Sequence, residues 1–597
     1  MGPRVAIIGA GPAGCFSAKE ILRQVPGSHV DVFDRLPVPF GLLRYGVAAD
    51  HQGTKSVTGQ FDRLFADPRA RFIGNTELGT DVSMDELKAH YDSVVLASGL
   101  SHDRTLDIPG SELPQVHRAG RVTRLLNGHP DEEQTMIDLG RNVAVVGQGN
   151  VAIDIVRLLT CAPDSLTGSD IDDGIHGPMR ESLARIDIIG RSAGREAKFD
   201  PVMIREMARV PGLTHTLHGV DLSTVTAGKD AKLDALCDLV EPAESTAVAQ
   251  HLAGEADAIE VHWWFSTTPD EVTGSDSAGR VDGLDITHDG ASVHLDVDSV
   301  ITAIGFVRDP MSIAKQGICP VTPIPADGKI DKGLFAIGWL KGAGRGTIPD
   351  QRTDARTLAA TIAAEVNAGT IATGAPGLAP GATATDFDGW RRIDHKERLG
   401  AGAGRCRTKI TSREDLLATA GDTDLDEQLA VTAAGEVEDL VPGMPVTILF
   451  GTESGNAELV AEELGTVLGQ LPDVEVSDLS SVSPSDLRPE RFYLLVCSTY
   501  GDGDVPSSAT RFYNDLRDQP VDLSGVRFAV FGMGDASYTK TYSRGSELIT
   551  EALEVQGATR VGEYGRHDAG GPVPATEAAS EWAEGVLRSL SEAFSPV

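Results

Sequence analysis

The 597-residue sequence predicts an α/β protein with three doubly wound parallel sheets, because one pattern occurs three times. RVAIIGAGPAG (residues 4–14) is an apolar strand followed by a glycine turn and a helix. NVAVVGQGNVAIDIVRLL (residues 142–159) repeats this order, and VTILFGTESGNAE (residues 446–458) repeats it again. Such a turn presents free N–H groups at a helix start, where phosphate binds, so we expect three nucleotide sites.

Length and charge narrow the possible partners. The chain is too long for one hydrophobic core, so three or four domains are expected. A net charge of −36 and a pI near 4.7 argue against nucleic acid or an anionic membrane as a partner. The charge either steers a basic protein partner or only keeps the surface solvated. The first strand pattern starts at Arg4 and no uncharged apolar run could cross a bilayer, so a cytoplasmic protein is expected.

The first glycine pattern has the spacing of a dinucleotide fingerprint. Gly9 permits the tight turn, Gly11 lets the backbone approach a pyrophosphate, and Gly14 lets the helix pack against the strand. The next strand pattern, HVDVFD, ends in Asp34, twenty residues after Gly14 and suited to hydrogen-bond a ribose. Strand, spacing and acid together predict a dinucleotide site.

The residues after Asp34 resemble a known family. RLPVPFGLLRYGVAADH (residues 35–51) is similar to the adrenodoxin-reductase-like ferredoxin–NADP reductases, and the likeness extends over about 410 residues. In that family the first fingerprint holds FAD, which implies that Asp34 binds its adenosine ribose and that Leu42 and Thr76 line the cofactor. GWLKGAGRGTIPDQRTDA (residues 338–355) resembles the stretch that returns to the flavin ring. Its implied flavin contacts are Trp339, Gly346, Thr347 and Ile348.

The second pattern predicts a nicotinamide coenzyme site. Its turn and helix start consist of Gly147, Gln148, Gly149, Asn150 and Val151. Ala152 stands where a third glycine would be, a variation found at nicotinamide sites of flavoproteins with two dinucleotide sites.

The next strand pattern, RIDIIGR, ends at Arg191, and a cation there suits the 2′-phosphate of NADPH. The family has two adjacent arginines, whereas here Ser192 follows and Arg195 comes later. Arg195 either replaces the missing contact or is a surface charge. A family glutamate near the nicotinamide aligns with Met203. NADPH is therefore predicted, with NADH possible.

His51 and Asp154 match family residues near the junction of flavin and nicotinamide, which implies proton handling. An imidazole titrates in the right range and a carboxylate can orient it. The alternative for His51 is a hydrogen-bonded loop histidine. No CxxC occurs, so a thioredoxin-reductase reaction, which needs a dithiol, is excluded.

The C-terminal quarter of the chain contains the third expected nucleotide site, and its motifs indicate the ligand. GTESGNAE lacks the lysine of a Walker A loop but offers hydroxyl, amide and backbone donors for one monophosphate. STYGDGDVPSSA (residues 498–509) and GMGDASY (residues 532–538) each follow a strand pattern. These loops resemble the FMN domains of the flavodoxin family, in which two tyrosines cover the ring. The implied FMN residues are Thr452, Glu453, Ser454, Gly455, Asn456, Ala457, Ser498, Thr499, Tyr500, Gly501, Gly503, Gly532, Asp535 and Tyr538.

Together these observations predict two Rossmann-like domains, for FAD and NADPH, and a C-terminal flavodoxin-like doubly wound sheet. The FAD domain is expected at residues 1–104 with 302–420, the NAD(P)H domain at 105–301 and the FMN domain at 446–597. Residues 421–445 are expected to be an acidic linker, since 421–441 holds seven acids and no Lys or Arg. A short docking helix through Leu425 and Leu429 is the alternative.

The predicted activity is electron transfer from NADPH through FAD to FMN and on to an external acceptor protein. An acidic carrier suits a basic docking face, as on haem-thiolate monooxygenases. Two alternatives remain open. One is an NAD(P)H oxidase or quinone reductase, and the other is an FAD reductase whose C-terminal module only docks partners.

Overall fold

The computed structural model divides the chain into two compact units. The first comprises Met1–Asp50, Arg69–Gly346 and Asp354–Asp422, and the second comprises His51–Pro68, Thr347–Thr353 and Thr423–Val597. The structure describes residues 2–594 except 56, 133–136, 226–228, 241–257, 275–278, 309–313, 315–323, 427, 430–444, 454, 469–472, 502, 536–540 and 570–574. Most of the predicted acidic linker therefore lies outside the described residues.

The strands follow the predicted alternation with helices. They are β1 (Arg4–Ile8), β2 (His29–Phe33), β3 (Ala70–Ile73), β4 (Ser93–Leu96), β5 (His102–Asp103), β6 (Val116–Arg118), β7 (Asn142–Val146), β8 (Arg185–Ile189), β9 (Leu213–His218), β10 (Ile259–Trp264), β11 (Thr267–Gly274), β12 (Val281–His288), β13 (Ala291–Leu295), β14 (Ser299–Thr302), β15 (Phe306–Val307), β16 (Lys329–Asp331), β17 (Leu334–Ala336), β18 (Val446–Gly451), β19 (Val474–Asp478), β20 (Phe492–Ser498), β21 (Arg527–Gly534), β22 (Thr559–Arg560) and β23 (Gly565–Asp568).

Helices connect most of these strands. They are α1 (Pro12–Gln24), α2 (Leu42–Tyr45), α3 (Gln52–Lys55), α4 (Thr58–Ala66), α5 (Met84–His90), α6 (Ala119–Leu126), α7 (Asn150–Thr160), α8 (Asp173–Glu181), α9 (Pro201–Ala208), α10 (Ala231–Val240), α11 (Gly338–Gly342), α12 (Ile348–Asn367), α13 (Phe387–Leu399), α14 (Arg413–Ala420), α15 (Asn456–Val467), α16 (Thr510–Asp518), α17 (Arg544–Val555) and α18 (Ala575–Phe594). Short 3₁₀ helices occupy Pro163–Leu166, Gly194–Glu196, Leu222–Thr224, Leu479–Ser481, Pro484–Asp486 and Ser507–Ala509.

The first unit contains two six-stranded sheets. One has the order β16-β17-β4-β1-β2-β3, and its strands β1 to β4 are parallel. The other has the order β6-β14-β7-β8-β10-β9 and is parallel throughout. The central strands β1 and β7 are apolar and almost entirely buried, as a sheet covered on both faces requires. Both fingerprint turns therefore lie at the carboxyl end of a central parallel strand.

Two smaller sheets complete the first unit. Strands β11, β12 and β13 form an antiparallel meander that packs its apolar face on residues of the second large sheet, among them Ala144, Val146 and Val300. Strands β5 and β15 pair antiparallel, with Phe306 opposite Asp103. This pair brings together the two chain segments on which the predicted FAD and NAD(P)H domains meet in sequence.

The second unit contains a sheet with the order β19-β18-β20-β21-β22, with β23 also paired to β21. The pairings among its described strands are all parallel. Helices α15 and α18 cover one face, through a core that includes Ile448, Leu464 and Leu587. Helices α16 and α17 cover the other face, around Phe512 and Ile549. This layered, doubly wound arrangement matches the predicted C-terminal sheet.

Five cysteines lie in the described part of the chain, and none forms a disulfide there. Cys15, Cys161 and Cys497 are buried. Burial raises the pKa of the Cys497 and Cys161 thiols. Among the described residues, no helix combines the length and apolar character that crossing a bilayer requires.

Candidate functional site

The first fingerprint forms an open cradle at the end of β1. Gly9 has φ +112°, and its N–H donates to the carbonyl of Phe33 at 2.7 Å. A Cβ on Gly14 would lie 1.9 Å from the Gly9 carbonyl oxygen, so only glycine lets α1 approach the turn. A Cβ on Gly11 would meet no atom within 4 Å. The space next to Gly11 is therefore left for a group that approaches the backbone, as a pyrophosphate would.

Asp34 connects this cradle to the adjacent strand. Its carboxylate accepts hydrogen bonds from the N–H of Ala10 at 2.8 Å and from the N–H of Leu36 at 2.9 Å. Thr76 lies beside it, because the Thr76 N–H donates to the Asp34 carbonyl at 2.8 Å. Burial raises the pKa of Asp34, although the two N–H groups act in the opposite direction. The structure thus brings two of the predicted FAD residues, Asp34 and Thr76, together.

The segment before α2 lies across the same cradle. The N–H of Phe40 donates to the carbonyl of Ala10 at 2.8 Å, and a Cβ on Gly41 would lie 3.1 Å from the Gly11 Cα. Gly41 has φ +47°. Leu42 follows at the start of α2 and is 37% exposed, unusual for a leucine in this position. Its exposed side chain is available to a cofactor in the cradle.

Buried ion pairs stabilise α2. The sequence alone did not indicate them. Arg44 pairs with Glu397, and both side chains are almost unexposed. Lys409 pairs with Asp170 at 2.9 Å, again out of solvent. Because the partners in these two pairs lie 353 and 239 positions apart in the sequence, only the folded chain reveals them.

His129 belongs to the same buried region. It is 5% exposed, its Nδ1 accepts a hydrogen bond from the Asp131 N–H at 3.0 Å, and its ring lies 4.6 Å from that of Tyr45. Burial lowers its pKa to about 3, although Asp131 acts in the opposite direction. His129 is therefore neutral at physiological pH.

Trp339 lies in α11, within the segment predicted to return to the flavin. Its indole N–H donates to the carbonyl of Gly346 at 2.9 Å, and its ring centroid lies 5.5 Å from that of Phe306. Gly346 has φ +101°. The indole thus fixes this turn. In the second unit, the Thr347 N–H donates to Asp350 at 2.7 Å, next to Ile348 at the start of α12.

The second fingerprint has the same construction at the end of β7. Gly147 has φ +133°, and a Cβ there would lie 2.2 Å from the carbonyl oxygen of Ala303. A Cβ on Gly149 would meet nothing within 4 Å. Ala152 is fully buried and takes the third glycine position without strain. The open side of Gly149 fits the pyrophosphate of a nicotinamide coenzyme.

Gln148 packs between the turns that follow β7 and β8. Its side-chain nitrogen donates to the carbonyl of Trp264 at 3.2 Å, and its Oε1 has no partner in the described part of the chain. Asn150, at the start of α7, accepts from the N–H of Asp200 at 2.8 Å. Val151 lines a cleft with Gly46.

Arg191 and Ser192 follow β8, as predicted. Arg191 is exposed and forms no ion pair with the described residues. Arg195 instead pairs with Asp230 at 2.9 Å, with its side chain 71% exposed. Of the two interpretations of Arg195, the geometry favours a surface ion pair.

Asp154 belongs to a charge cluster that the sequence analysis missed. Its Oδ1 accepts from Nη2 of Arg157 at 3.1 Å, and the same nitrogen donates to Asp50 at 3.0 Å. Glu206 on α9 lies 3.6 Å from Nε of Arg157. Three carboxylates thus surround one arginine whose side chain is 6% exposed. The only sign of this cluster in the sequence was the i, i+3 spacing of Asp154 and Arg157.

Met203 on α9 is buried in the core, in agreement with its apolar character. The carboxylate on this helix stands one turn later, at Glu206. Asp154 also lines a cleft with Gly46, Ala48 and Val151. The second fingerprint helix therefore faces the segment that follows Leu42.

His51 lies directly before α3 in the second unit and is partly exposed. Its carbonyl accepts from the N–H groups of Thr54 and Lys55 at 3.1 Å. It therefore starts a helical turn rather than an irregular loop. Its cooperation with Asp154 stays a prediction.

The third loop is closed by hydrogen bonds within itself and to Ser507 and Ser508. Thr452 Oγ1 accepts from the Gly455 N–H at 2.8 Å, and the Thr452 N–H donates to Ser508 at 2.8 Å. Glu453 accepts from the Ser507 N–H at 2.7 Å. Gly455 has φ +96° and precedes α15, which begins at Asn456. This loop ends at a helix N-terminus and fits a monophosphate.

A second loop rises beside it after β20. Tyr500 and Asp504 form a tight turn, with the N–H of each donating to the carbonyl of the other at 3.1 and 2.8 Å. Gly501 and Gly503 have φ +53° and +102°. Tyr500 is 56% exposed, so its ring is free to cover a flat ligand.

Several predicted FMN residues act through packing. Ala457 is fully buried in the core, so its side chain faces away from the phosphate loop. A Cβ on Gly532 would lie 1.9 Å from Ser543 Oγ, which explains that glycine. Thr499 Oγ1 accepts from the Gly545 N–H at 3.2 Å. In the same region, Ser498 donates to the Gly451 carbonyl at 3.3 Å and Asp535 directly follows β21. Ser454 and Tyr538 lie outside the described residues.

Comparisons with known proteins agree with this construction. A pyridine nucleotide-disulphide oxidoreductase model matches residues 3–162, and a flavodoxin model matches residues 448–582. Cindoxin reductase of Citrobacter braakii is 40% identical over 421 residues, covering 68% of this chain and 89% of that protein. The chain belongs to the adrenodoxin-reductase-like family of NADP reductases. It carries a flavodoxin domain at its C-terminal end.

Further relatives cover a similar share of the chain. The human mitochondrial NADPH:adrenodoxin oxidoreductase is 30% identical over 464 residues, covering 70% of this chain and 92% of that protein. The solved structure of Mycobacterium tuberculosis FprA in complex with NADPH covers 70% of this chain and all of that chain, with 26% identity and a TM-score of 0.60. The protein is therefore a flavoprotein oxidoreductase, and its two families imply FAD, NADP(H) and FMN as cofactors.

Proposed function

We propose that this protein transfers electrons from NADPH through FAD to FMN and then to an external one-electron acceptor protein in the cytoplasm. The observation that carries the proposal is that one chain has two open dinucleotide cradles, at Gly11 and Gly149, and a separate monophosphate loop before α15. When bound, the nicotinamide and the two flavins supply the redox chemistry, a hydride transfer followed by single-electron transfers.

In the first unit, the chain's part is to bind and orient. The cradle at Gly11 receives the pyrophosphate of FAD, and Asp34 binds the adenosine ribose. The cradle at Gly149 receives the coenzyme pyrophosphate, and Arg191 pairs with its 2′-phosphate. Residues 1–104 with 302–420 form the FAD domain, and residues 105–301 form the NADPH domain.

His51 and Asp154 handle the proton that leaves during reoxidation. A histidine exchanges protons near neutral pH, and a carboxylate can orient it. Nη2 of Arg157 donates to Oδ1 of Asp154 at 3.1 Å, which orients the carboxylate. The roles of His51 and Asp154 are assigned by resemblance to the family.

In the second unit, Thr452 and Gly455 shape the loop that holds the FMN phosphate, while Tyr500 and Tyr538 cover the ring. Acidic side chains near the ring disfavour a reduced, anionic flavin and so lower its potential. From Val446 onward the sequence holds 24 acidic residues against 10 Lys and Arg. This excess favours an acceptor with a basic face, and we propose a haem-thiolate monooxygenase.

The relatives support a protein acceptor. The names cindoxin reductase and NADPH:adrenodoxin oxidoreductase each include a protein partner. Here the fused flavodoxin domain takes the place of a separate carrier. Fusion through a short linker raises the effective concentration of the carrier to roughly the millimolar range.

The test is release of the bound flavins by heat, followed by chromatographic quantitation. One FAD and one FMN per chain are expected. FAD alone would contradict the relay and leave a docking module at the C-terminus. Rapid oxygen uptake with NADPH, unchanged by any added acceptor protein, would instead identify an oxidase.

Coenzyme preference is tested separately. Steady-state reduction of ferricyanide with NADPH or NADH compares the two coenzymes, and Arg191→Ala is expected to raise the KM for NADPH about tenfold or more while changing the KM for NADH little. Arg195→Ala serves as the matched control, because its guanidinium already pairs with Asp230. An equal effect on both coenzymes would contradict the assignment of Arg191.

A further inference from the structure

A buried lysine near the C-terminal end of the first unit reaches the end of α2. The side chains of Lys409 and its partner Asp170 are 2% and 3% exposed, and Nζ lies 2.9 Å from the carboxylate. The same Nζ donates to the carbonyl of Arg44 at 3.1 Å and to Oδ1 of Asn127 at 3.3 Å. The ammonium thus contacts three oxygens that come from three distant parts of the chain.

Helix α2 depends on such a contact because it is short. It has four residues, too few for a helix that is stable by itself. It begins at Leu42, one of the residues predicted to line FAD. The last carbonyls of a helix lack partners within it, and a cationic side chain can hydrogen-bond them. Lys409 does this at Arg44 and so holds the end of α2 opposite to Leu42.

The other two partners of the lysine belong to residues 105–301, the proposed NADPH domain. Asn127 directly follows α6, and its side-chain nitrogen donates to the carbonyl of Thr123 at 3.0 Å. Thr123 lines a cleft together with Val151, a residue of the second fingerprint. Asp170 lies farther along the same domain. One buried ammonium therefore joins the FAD side of the first unit to the coenzyme side.

The backbone that carries this lysine is itself fixed on α13. The N–H of Thr408 donates to the carbonyl of Glu397 at 2.9 Å, and the N–H of Ile410 donates to its carboxylate at 2.9 Å. The same carboxylate pairs with the side chain of Arg44. Both neighbours of Lys409 are thus tied to one glutamate, so the lysine extends from a defined position.

We propose that Lys409 is a positioning residue for hydride transfer, because it fixes the end of α2 relative to the coenzyme side. In that step NADPH gives up a hydride, one proton with two electrons, and FAD accepts it. Transfer requires reacting atoms about 3–3.5 Å apart, and a displacement of about 1 Å can slow it about 100-fold. The part concerning transfer rests on the proposed function; the contacts of Lys409 do not.

The first experiment is stopped-flow reduction of the FAD-loaded, full-length protein by saturating NADPH. Lys409→Met is expected to lower the rate constant for FAD reduction about tenfold or more. It should also weaken the long-wavelength absorbance that reports stacking of nicotinamide on flavin, while the FAD content changes less than about twofold. An unchanged rate constant and absorbance would overturn the proposal. If NADPH failed to reduce FAD in the unsubstituted protein, the proposed function would be contradicted instead.

A double variant separates positioning from stability. Lys409→Met alone leaves the Asp170 carboxylate buried without its cation, which destabilises the fold. Lys409→Met combined with Asp170→Leu removes both charges and should recover most of the lost stability in urea unfolding. The Arg44 carbonyl still lacks its donor, so reduction of FAD should stay slow. A rate restored together with stability would show that Lys409 acts through stability alone, and would overturn the proposal.

Hydrogen–deuterium exchange of the peptide 42–50 measures the contact without any turnover. Exchange should become about fivefold faster in Lys409→Met and in the double variant. Arg405→Met is the matched control, because Arg405 pairs instead with Asp173 at 2.7 Å and donates to the carbonyl of Leu166 at 2.8 Å. It should leave both the exchange and the rate of FAD reduction within about twofold. Equal effects of Arg405→Met and Lys409→Met would overturn the assignment to Lys409.

Discussion

At the scale of single residues, His129 makes stability depend on pH. Burial lowers its pKa to about 3, whereas an unfolded histidine titrates near 6.5. Below that value the unfolded chain binds a proton that the folded chain does not, so stability falls as pH falls from about 6.5 toward 3. Between pH 7 and pH 5, His129 should account for a loss of roughly 2 kcal/mol.

We predict that His129→Gln flattens this dependence, because glutamine cannot take up the proton. Urea unfolding at pH 7 and pH 5, followed by tryptophan fluorescence, measures the difference. His294 provides a control whose pKa is shifted in the opposite direction. It is exposed, and a hydrogen bond with Asp285 raises its pKa. An equal pH dependence in His129→Gln and the unsubstituted protein would contradict the assignment.

Three carboxylates share the cation of Arg157. We predict that Arg157→Met lowers the free energy of unfolding of the first unit by about 3 kcal/mol, because Asp50, Asp154 and Glu206 then lose their shared cation. Chemical unfolding gives the value. Asp154→Asn should lower the free energy of unfolding much less, since Arg157 then still contacts Asp50 and Glu206. A larger effect for Asp154→Asn would contradict this account.

At the scale of elements, some glycines of the two fingerprint turns are needed for folding, and others are needed for cofactor binding. We predict that Gly14→Ala impairs folding, because its Cβ would lie 1.9 Å from the Gly9 carbonyl oxygen. Gly11→Ala should fold normally and bind FAD at least about tenfold more weakly, since the methyl group enters the open space of the cradle. Circular dichroism and the FAD-to-protein ratio distinguish the two.

The matched pair in the second fingerprint is Gly147→Ala and Gly149→Ala. A Cβ on Gly147 would lie 2.2 Å from the Ala303 carbonyl oxygen, whereas Gly149 is open. We expect the first substitution to destabilise the protein and the second to raise the KM for NADPH. If both variants folded and bound NADPH alike, the open space beside Gly149 would not be the pyrophosphate site.

The sequence predicted these elements because their signals are local. β1, β7 and β18 are apolar runs followed at once by glycine turns, and each lies where expected. Asp34 was predicted from its spacing after Gly14 and Thr76 through the family resemblance, and one hydrogen bond joins them. The Arg157 cluster and the contact of Arg352 with Glu458 could not be predicted, because they join residues about 50 to 110 positions apart. The packing of Gly532 on Ser543 is likewise visible only in the fold.

At the scale of the whole molecule, we expect charge to govern the encounter with the proposed acceptor. The chain carries −36 in total, and the C-terminal domain has a large acidic excess. We predict that raising NaCl from 20 to 300 mM lowers kcat/KM for cytochrome c by roughly tenfold, because salt screens the attraction between unlike charges. Ferricyanide is an anion, so its kcat/KM should rise or stay constant. A fall in kcat/KM with both cytochrome c and ferricyanide would indicate a general effect of salt on the enzyme.

The bounds of the three expected domains stay a prediction. The described residues form three large sheets and divide into two compact units. The interior around the second sheet of the first unit also includes Ala48 and Ala49, from the segment that follows α2. Inclusion of His51–Pro68 and Thr347–Thr353 in the second unit had no sequence signal, since neither segment resembles a flavodoxin.

The buried thiols have a consequence for the chemical durability of the protein. Reduced flavins that meet dioxygen yield hydrogen peroxide, and peroxide attacks the thiolate form of cysteine. Cys497 lies on β20, close in sequence to Tyr500, and burial both hides its sulfur and raises its pKa. Cys161, at the end of α7, is protected in the same way. Burial therefore protects these two thiols from any peroxide formed when a reduced flavin meets dioxygen.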